Sequence, residues 1–246
     1  MIEFLRKLSP LLILFVISCN TSSLSKKNTV DLSEIGSSIE INQDPYDHNK
    51  NQISVLLFDY KGKQIGNDKI KILVNKQELD LDIKEELYYT KKIRYKGGNI
   101  PVTDSFDFEI KLPDGSIFPL SYTKAIQTIQ KDNILFKEEI PLDLETKITW
   151  KEMKEFNNLI IWKSYNLNNT NSTKGGRYDK STLHLKIKEN GSHIVPVSYY
   201  KDSISTINYL SIEFQSIKSG LIHPDLIPNS NLKLISTVKR NIKYIK

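Results

Sequence analysis

The sequence predicts an all-β protein whose antiparallel strands form a sandwich or a barrel. From Gln52 onward, apolar residues recur at every second position in short segments, the period of strands with one buried face. Dipeptides that favour tight turns follow the two clearest segments. Between the segments, no stretch has the spacing of an amphipathic helix of three turns.

The two clearest strands are predicted at residues 105–112 and 182–188. In both, large apolar side chains alternate with charged or polar ones. An Asp-Gly pair at 114–115 and an Asn-Gly pair at 190–191 supply the positive φ angles of tight reversals, so we expect a hairpin at each. Weaker alternating runs lie at residues 53–60, 69–74, 79–83, 87–95, 117–122, 158–162, 194–199, 209–214 and 232–238.

A possible internal duplication divides the chain. Residues 96–116 and 174–192 share a Lys-Gly-Gly segment, an alternating strand and a turn, in the same order. One interpretation is a pair of tandem β-sandwich modules, at residues 51–128 and 129–246. The other is that any two alternating hairpins look alike.

The first eighteen residues have the three parts of an export signal. Arg6 and Lys7 make the start positive, residues 11–17 are apolar, and Ser18 is small. The apolar run is too short to cross a bilayer, which needs about 20 such residues. We therefore predict a signal peptide over residues 1–18.

The segment Val16-Ile17-Ser18-Cys19 resembles the lipobox of bacterial lipoproteins. The resemblance implies that the Cys19 thiol receives a diacylglyceryl group and that signal peptidase II cleaves before it. Cys19 is the single cysteine of the chain, so no internal disulfide can form. The alternatives are an ordinary secretory signal with a cysteine by chance, or an unprocessed apolar stretch.

In this lipoprotein class, the residues behind the cysteine help to sort the protein. Asn20 is not the aspartate that commonly retains lipoproteins at the inner membrane, which favours the outer membrane. Residues 20–25 contain no acidic side chain, which favours the periplasmic face. Residues 19–50 are rich in polar residues without a sustained period, so we predict a flexible, lipid-anchored tether there.

A second resemblance covers the latter half of the chain. Residues 148–150 (Ile-Thr-Trp), 159–162 (Leu-Ile-Ile-Trp) and the Asn-Gly-Ser turn at 190–192 resemble the C-terminal β-sandwich of uncharacterised Gram-negative lipoproteins with Ig-like modules. This resemblance implies that both modules are Ig-like and that the chain lies in the envelope. It implies no activity.

Charge and motifs argue against several classes of function. Lys and Arg exceed Asp and Glu by only 35 to 29 and are scattered, so we expect no nucleic-acid partner. GxSxG, GxGxxG and GxxxxGK[ST] motifs are absent from the sequence, which favours a non-enzymatic protein without a cofactor.

Residues that could bind metal are spread along the sequence. The four histidines, His48, His184, His193 and His223, lack the spacing of zinc ligands. The acids at 80 and 82, and at 143 and 145, could bind calcium or act as an acid–base pair, but each pair also fits the solvent side of a strand. We therefore predict no metal site.

Three aromatic residues are candidates for contact with a ligand or partner: Trp150, Trp162 and Tyr200. Each tryptophan shares a face with apolar neighbours, which also fits core packing. Our leading hypothesis is a non-enzymatic, lipid-anchored envelope protein that presents a binding or assembly surface to other envelope proteins. The alternative is a glycan-binding lipoprotein that uses exposed aromatics, and a third is a hydrolase built from scattered polar residues.

The lipid anchor can be tested by substituting Cys19→Ala and fractionating the cells. Loss of the acylated thiol should move the protein from the membrane to the soluble fraction, because two or three acyl chains, at about 0.8 kcal/mol per buried CH₂, supply the attachment. A variant that stays membrane-bound would contradict lipidation as the means of attachment.

Overall fold

A computed structural model describes residues 31–85, 91–167, 177–199 and 205–245. The predicted signal peptide, Cys19 and Tyr200 lie outside these ranges. Within them, the helices are short 3-10 turns at Leu32–Glu34, Lys131–Asn133 and Val197–Tyr199. In this part of the chain, no helix has the length and apolar character needed to cross a membrane.

Eight strands precede residue 128 and nine follow it. The first eight are β1 (Gly36–Gln43), β2 (Asn51–Phe58), β3 (Lys71–Val74), β4 (Gln77–Glu78), β5 (Asp80–Glu85), β6 (Lys91–Ile100), β7 (Ser105–Lys111) and β8 (Ile117–Lys124). The rest are β9 (Ile134–Leu135), β10 (Glu139–Pro141), β11 (Thr146–Trp150), β12 (Asn158–Leu167), β13 (Arg177–Lys186), β14 (Gly191–Val195), β15 (Ser205–Ser219), β16 (Leu221–Ile222) and β17 (Asn231–Ile245).

These strands form three sheets. The largest has nine strands, in the order β13-β12-β15-β17-β1-β2-β6-β5, with β10 added beside β17. A five-stranded sheet has the order β16-β8-β7-β3-β4, and a three-stranded sheet has the order β14-β11-β9. All pairings are antiparallel except those of β17 with β1 and with β10. The predicted all-β class with antiparallel sheets is confirmed.

One apolar cluster holds the three sheets together. Strand alternation builds it, as in β7, where Phe106 and Phe108 are at most 1% exposed while Asp107 between them faces solvent. Buried residues of all three sheets belong to this cluster. Trp150 of the small sheet meets Phe214 of the large sheet edge-to-face, with ring centroids 5.5 Å apart.

Strand β17 pairs with strands from both halves of the chain. Its residues 231–236 pair in parallel with β1, and its residues 233–243 pair with β15 on the opposite side. The largest sheet therefore contains strands from both sides of the boundary predicted at residue 128. The division into modules at 51–128 and 129–246 stays a prediction. The nine-stranded sheet contains strands of both proposed modules.

The tether predicted over residues 19–50 is wrong from Asp31 onward. Strand β1 lies inside the nine-stranded sheet, with Ile39 and Ile41 at most 1% exposed. Most other residues of β1 are small or polar, so its composition looks like that of a linker although its two isoleucines have the strand period. The part of the tether before residue 31 lies outside the described residues.

The two predicted turns have different outcomes. Gly115, with φ of 91°, lies in the hairpin that joins β7 to β8, as predicted. Residues 190–191 form no hairpin, because β13 pairs with β12 of the large sheet and β14 pairs with β11 of the small one. Gly191 is needed for space: a Cβ there would lie 2.7 Å from the Trp150 ring.

The shared sheet predicts that both halves unfold together. Phe108→Ala, in the five-stranded sheet, should cost about 3–5 kcal/mol because it leaves a cavity in the core. Both tryptophans lie in the other half of the chain, so their fluorescence reports on the half that the substitution does not touch.

The midpoint of denaturant unfolding should fall equally by tryptophan fluorescence and by far-UV circular dichroism. The control Asp107→Ala, on the exposed face of the same strand, should stay within about 0.5 kcal/mol of the native protein. An unchanged fluorescence transition beside a shifted dichroism transition would mean that the halves unfold independently.

Candidate functional site

Trp150 is a core residue. It is 6% exposed, its ring packs against Phe214, and its indole Nε1 donates a hydrogen bond of 3.0 Å to the carbonyl oxygen of Lys188. Its polar edge and its ring are both occupied within the protein. Trp150 therefore does not offer its ring to a ligand from solvent, and its selection as a contact residue is corrected.

Trp162 lies on the outer face of the nine-stranded sheet, the face that points away from the core. It follows Ile161, which is fully buried in the core, and side chains alternate between the two faces of a strand. Its cross-strand neighbour on β15 is Ser211, which alternates in the same way with the buried Leu210 and Ile212. The Trp162 side chain is half-buried on this outer face.

A cavity of about 210 Å³ opens beside Trp162 on the outer face. Its walls come from three neighbouring strands, β12, β15 and β17, and are lined by Trp162, Tyr209, Ser211, Glu213 and Lys239. Adjacent strands of a sheet hold such side chains at fixed separations, so the walls of the cavity are formed before any ligand arrives.

Two of the residues that line this cavity each have a buried polar atom without a hydrogen-bond partner in the part of the chain that the structure describes. Ser211 is only 3% exposed, and its Oγ has no partner among the described residues. The same is true of the buried Nε1 of Trp162. Most buried polar atoms in proteins are hydrogen-bonded, so each exception requires an explanation. A ligand or ordered water in the cavity would supply the missing partner.

An ion pair forms another wall of the cavity. Glu213 and Lys239 are directly opposite each other on β15 and β17, with Nζ and Oε1 2.9 Å apart. The Glu213 side chain is 16% exposed, and that of Lys239 is 61% exposed. Each group positions the other, and both retain further capacity, since a carboxylate accepts several hydrogen bonds and an ammonium donates three.

A larger depression of about 620 Å³ lies on the other half of the protein. Several of its polar groups bind each other: Asn75 Nδ2 donates to the carbonyl oxygen of Pro101 at 3.1 Å, and Ser105 Oγ donates to Asp107 at 2.8 Å. Lys76 also pairs with Glu109 across it. Most of its hydrogen-bonding side chains are thus engaged within the protein, and we place the candidate site at Trp162.

The residues considered for metal binding stay apart. Within the described ranges, no group of three or more His, Cys, Asp or Glu side chains could hold a metal ion. Asp82 binds Lys96 at 2.5 Å, and this hydrogen bond lowers the pKa of the carboxyl group. Burial lowers the pKa of His193. The acids at 143 and 145 lie outside any strand.

Of the two predicted contact residues that the structure describes, Trp162 lies at the cavity and Trp150 lies in the core. Tyr200 lies outside the described residues. Sequence patterns did not indicate Ser211, Glu213 or Lys239, because their positions beside Trp162 depend on the register of β12, β15 and β17. The alternation of polar residues at 209, 211 and 213 with buried apolar ones was the signal that could have indicated them.

No protein-family model matches the sequence, and no curated protein matches it. Among solved structures, the chain is similar to FdeC, a broadly conserved Escherichia coli adhesin, at 7% identity and a TM-score of 0.24, over 85% of this chain and 64% of that one. It is similar to SGBP-B of the Bacteroides ovatus mixed-linkage glucan utilization locus, in complex with mixed-linkage heptasaccharide, at 9% identity and a TM-score of 0.17, over 82% and 60%.

A further similarity is to CBD12 from CALX1.2, at 10% identity and a TM-score of 0.14, over 82% of this chain and 100% of that one. The chain spans less than two thirds of the length of the first two structures. With TM-scores this low, none of the three indicates what this chain binds.

The unpaired Ser211 hydroxyl gives a prediction for stability. Ser211→Ala removes a buried hydroxyl that has no partner among the described residues, so the free energy of unfolding should stay the same or rise by up to about 1 kcal/mol. Ser230→Ala is the matched control, because its Oγ accepts a hydrogen bond from the Ser37 N–H and donates one to the Ile227 carbonyl oxygen.

The control should lose about 1–2 kcal/mol, the net contribution of those two hydrogen bonds. Denaturant unfolding of both variants in the absence of ligand measures the difference. If Ser211→Ala destabilises the protein as much as Ser230→Ala, the hydroxyl has a structural partner and the cavity loses one of its two free polar atoms.

Proposed function

We propose that this chain is a lipid-anchored, non-enzymatic binding protein of the bacterial envelope, and that it binds a saccharide in the cavity beside Trp162. The observation that carries the proposal is the half-buried Trp162 side chain on the outer face of the sheet, beside Ser211 and an ion pair. Trp162 Nε1 and Ser211 Oγ have no hydrogen-bond partner among the described residues.

The cavity offers what a sugar ring requires. The apolar C–H face of a pyranose packs on an aromatic ring, and its hydroxyl groups both donate and accept hydrogen bonds. Here Glu213 accepts, Lys239 and Trp162 Nε1 donate, and Ser211 Oγ can do either. A volume of about 210 Å³ suits a single sugar residue of a longer chain.

The number of carboxyl groups in the cavity favours binding of a saccharide without its cleavage. Most glycoside hydrolases use two carboxyl groups about 5–9.5 Å apart, one on each side of the scissile bond. Glu213 is the one carboxylate among the five described residues that line the cavity, and Lys239 holds it by an ion pair. We therefore assign Glu213 to hydrogen bonding with the ligand.

The anchor belongs to the same proposal. The lipobox at residues 16–19 supports lipidation of Cys19, and the residues behind it favour the periplasmic face of the outer membrane. A protein held there meets the polysaccharides of the envelope at high local concentration. Recognition of another envelope protein by the same face is the competing proposal.

Affinity electrophoresis and calorimetric titration test saccharide binding. The probes are maltohexaose, cellohexaose, xylohexaose and chitohexaose for titration, and the corresponding soluble polysaccharides in the gel. Trp162→Ala should abolish binding, since it removes both the stacking surface and the Nε1 donor. Ser211→Ala should weaken binding about two- to tenfold, the contribution of one neutral hydrogen bond.

Tyr60→Ala is the matched control, because Tyr60 is an aromatic residue with 66% of its surface exposed in another part of the protein. It should bind like the native chain. If the native chain is retarded by none of these probes and its tryptophan emission does not change on titration, saccharide binding at Trp162 is ruled out for these ligand classes and the protein-partner proposal takes its place.

A further inference from the structure

The chain enters the nine-stranded sheet at one identifiable end. β1 begins at Gly36, which pairs with Phe58 at the end of β2. Val55 of β2 lies opposite Tyr95, so β6 begins at this same end, and Lys84 near the end of β5 lies opposite Lys92. This end of the sheet, which we call the entry end, is where the segment leading back to Cys19 joins the folded body.

Basic side chains gather on the outer face of the entry end. A cavity of about 320 Å³ is lined by four cations and one acid: Lys84, Lys92, Arg94, Lys96 and Asp82. These side chains alternate with Ile93 and Tyr95, which are buried in the core. Asp82, the acid among the described residues of the lining, pairs with Lys96.

The other cations of the cavity concentrate positive charge at the entry end. Lys84 and Lys92 lie directly opposite each other on β5 and β6. Arg94 donates from Nη1 to Ser54 Oγ at 3.1 Å, while its buried Nε has no partner among the described residues. An anion in the cavity would give Arg94 Nε a partner.

Protection of an exposed sheet edge is the simpler explanation for some of these lysines. Edge strands often carry lysine, which prevents pairing with another chain. That accounts for Lys84 on the edge strand β5. It does not account for Lys92, Arg94 and Lys96, because β6 is an interior strand with β2 on its other side.

The turn after β2 places an aromatic side chain at the same end. Asp59 accepts hydrogen bonds from the N–H groups of Lys61 and Lys63, both at 2.9 Å, and the turn leaves Tyr60 66% exposed with the Lys61 ammonium 5.5 Å from its ring centre. Exposed tyrosine beside lysine is typical of residues at the interface between membrane and water. The nearby acid Glu85 is paired with Lys91.

We infer that the entry end docks on the phosphate groups of anionic lipid headgroups, with Lys84, Lys92 and Arg94 as the principal contacts. The inference rests on the proposed lipid anchor, which would hold this end next to a bilayer. The charge of the cavity complements a phosphate, and the chain leads from this same end toward Cys19. Docking would fix the orientation of the body relative to the bilayer.

Vesicle sedimentation with an unlipidated chain tests the docking surface. The mature chain from residue 19, carrying Cys19→Ala, keeps every residue of the buried cluster, the first of which is Leu32. The probes are phosphatidylcholine vesicles with and without phosphatidylglycerol. Binding should require phosphatidylglycerol and should weaken as salt is added, because screening shortens the reach of these charges.

The double variant Lys84→Gln with Lys92→Gln should lower the partition coefficient about thirtyfold, since each cation near an anionic surface contributes about fivefold. The matched control, Lys124→Gln with Lys147→Gln, removes two exposed lysines of the other two sheets and should bind like the parent. Equal binding by the two double variants would overturn the inference.

Inorganic phosphate, titrated at constant ionic strength, separates the lipid from a free anion. If phosphate binds to the chain and anionic vesicles do not, the ligand is a soluble anion and the docking inference is overturned. Because the chain in this experiment carries no lipid, its outcome is independent of the anchor. Mass spectrometry of the native N-terminus tests the anchor separately.

Discussion

The parallel pairing of β1 with β17 is the interaction on which the rest of the fold depends. β1 lies between β17 and β2, so without it the large sheet would separate into β13-β12-β15-β17 and β2-β6-β5. Its hydrogen bonds join a strand from the start of the described chain to one from its end. The same junction positions the two surfaces, because the Trp162 cavity lies on β12, β15 and β17 and the basic cavity lies on β5 and β6.

Strand periodicity allowed the all-β class to be predicted. The prediction of strands failed at β1, where a composition rich in small and polar residues indicated a tether. The alternation in β7 was clear because phenylalanines mark one face. β1 has only two isoleucines among small and polar residues, and its burial comes from neighbours distant in sequence. The Asn-Gly pair at 190–191 shows another limit. Local turn chemistry cannot tell whether the next strand returns to the same sheet or crosses to another.

The candidate site shows how register decides function. Trp150 and Trp162 have similar surroundings in the sequence, since each follows apolar residues at strand spacing. Trp150 faces the interior, where it packs against Phe214 and donates a hydrogen bond to the carbonyl oxygen of Lys188. Trp162 faces outward beside Ser211. The cavity residues on β15 and β17 come together only through cross-strand pairing, which a single sequence does not encode at short range.

The chain order of β1 and β17 has a consequence for how the body can assemble. Ser37 and Ser230, joined by a hydrogen bond of 3.1 Å, are 193 positions apart. A ribosome or a translocation channel delivers β1 early and β17 late, so the central parallel ladder cannot close until almost the whole chain has emerged. Contacts of such long sequence separation slow folding. The nine-stranded sheet is therefore completed late, after local hairpins such as that of β7 and β8 have had time to form.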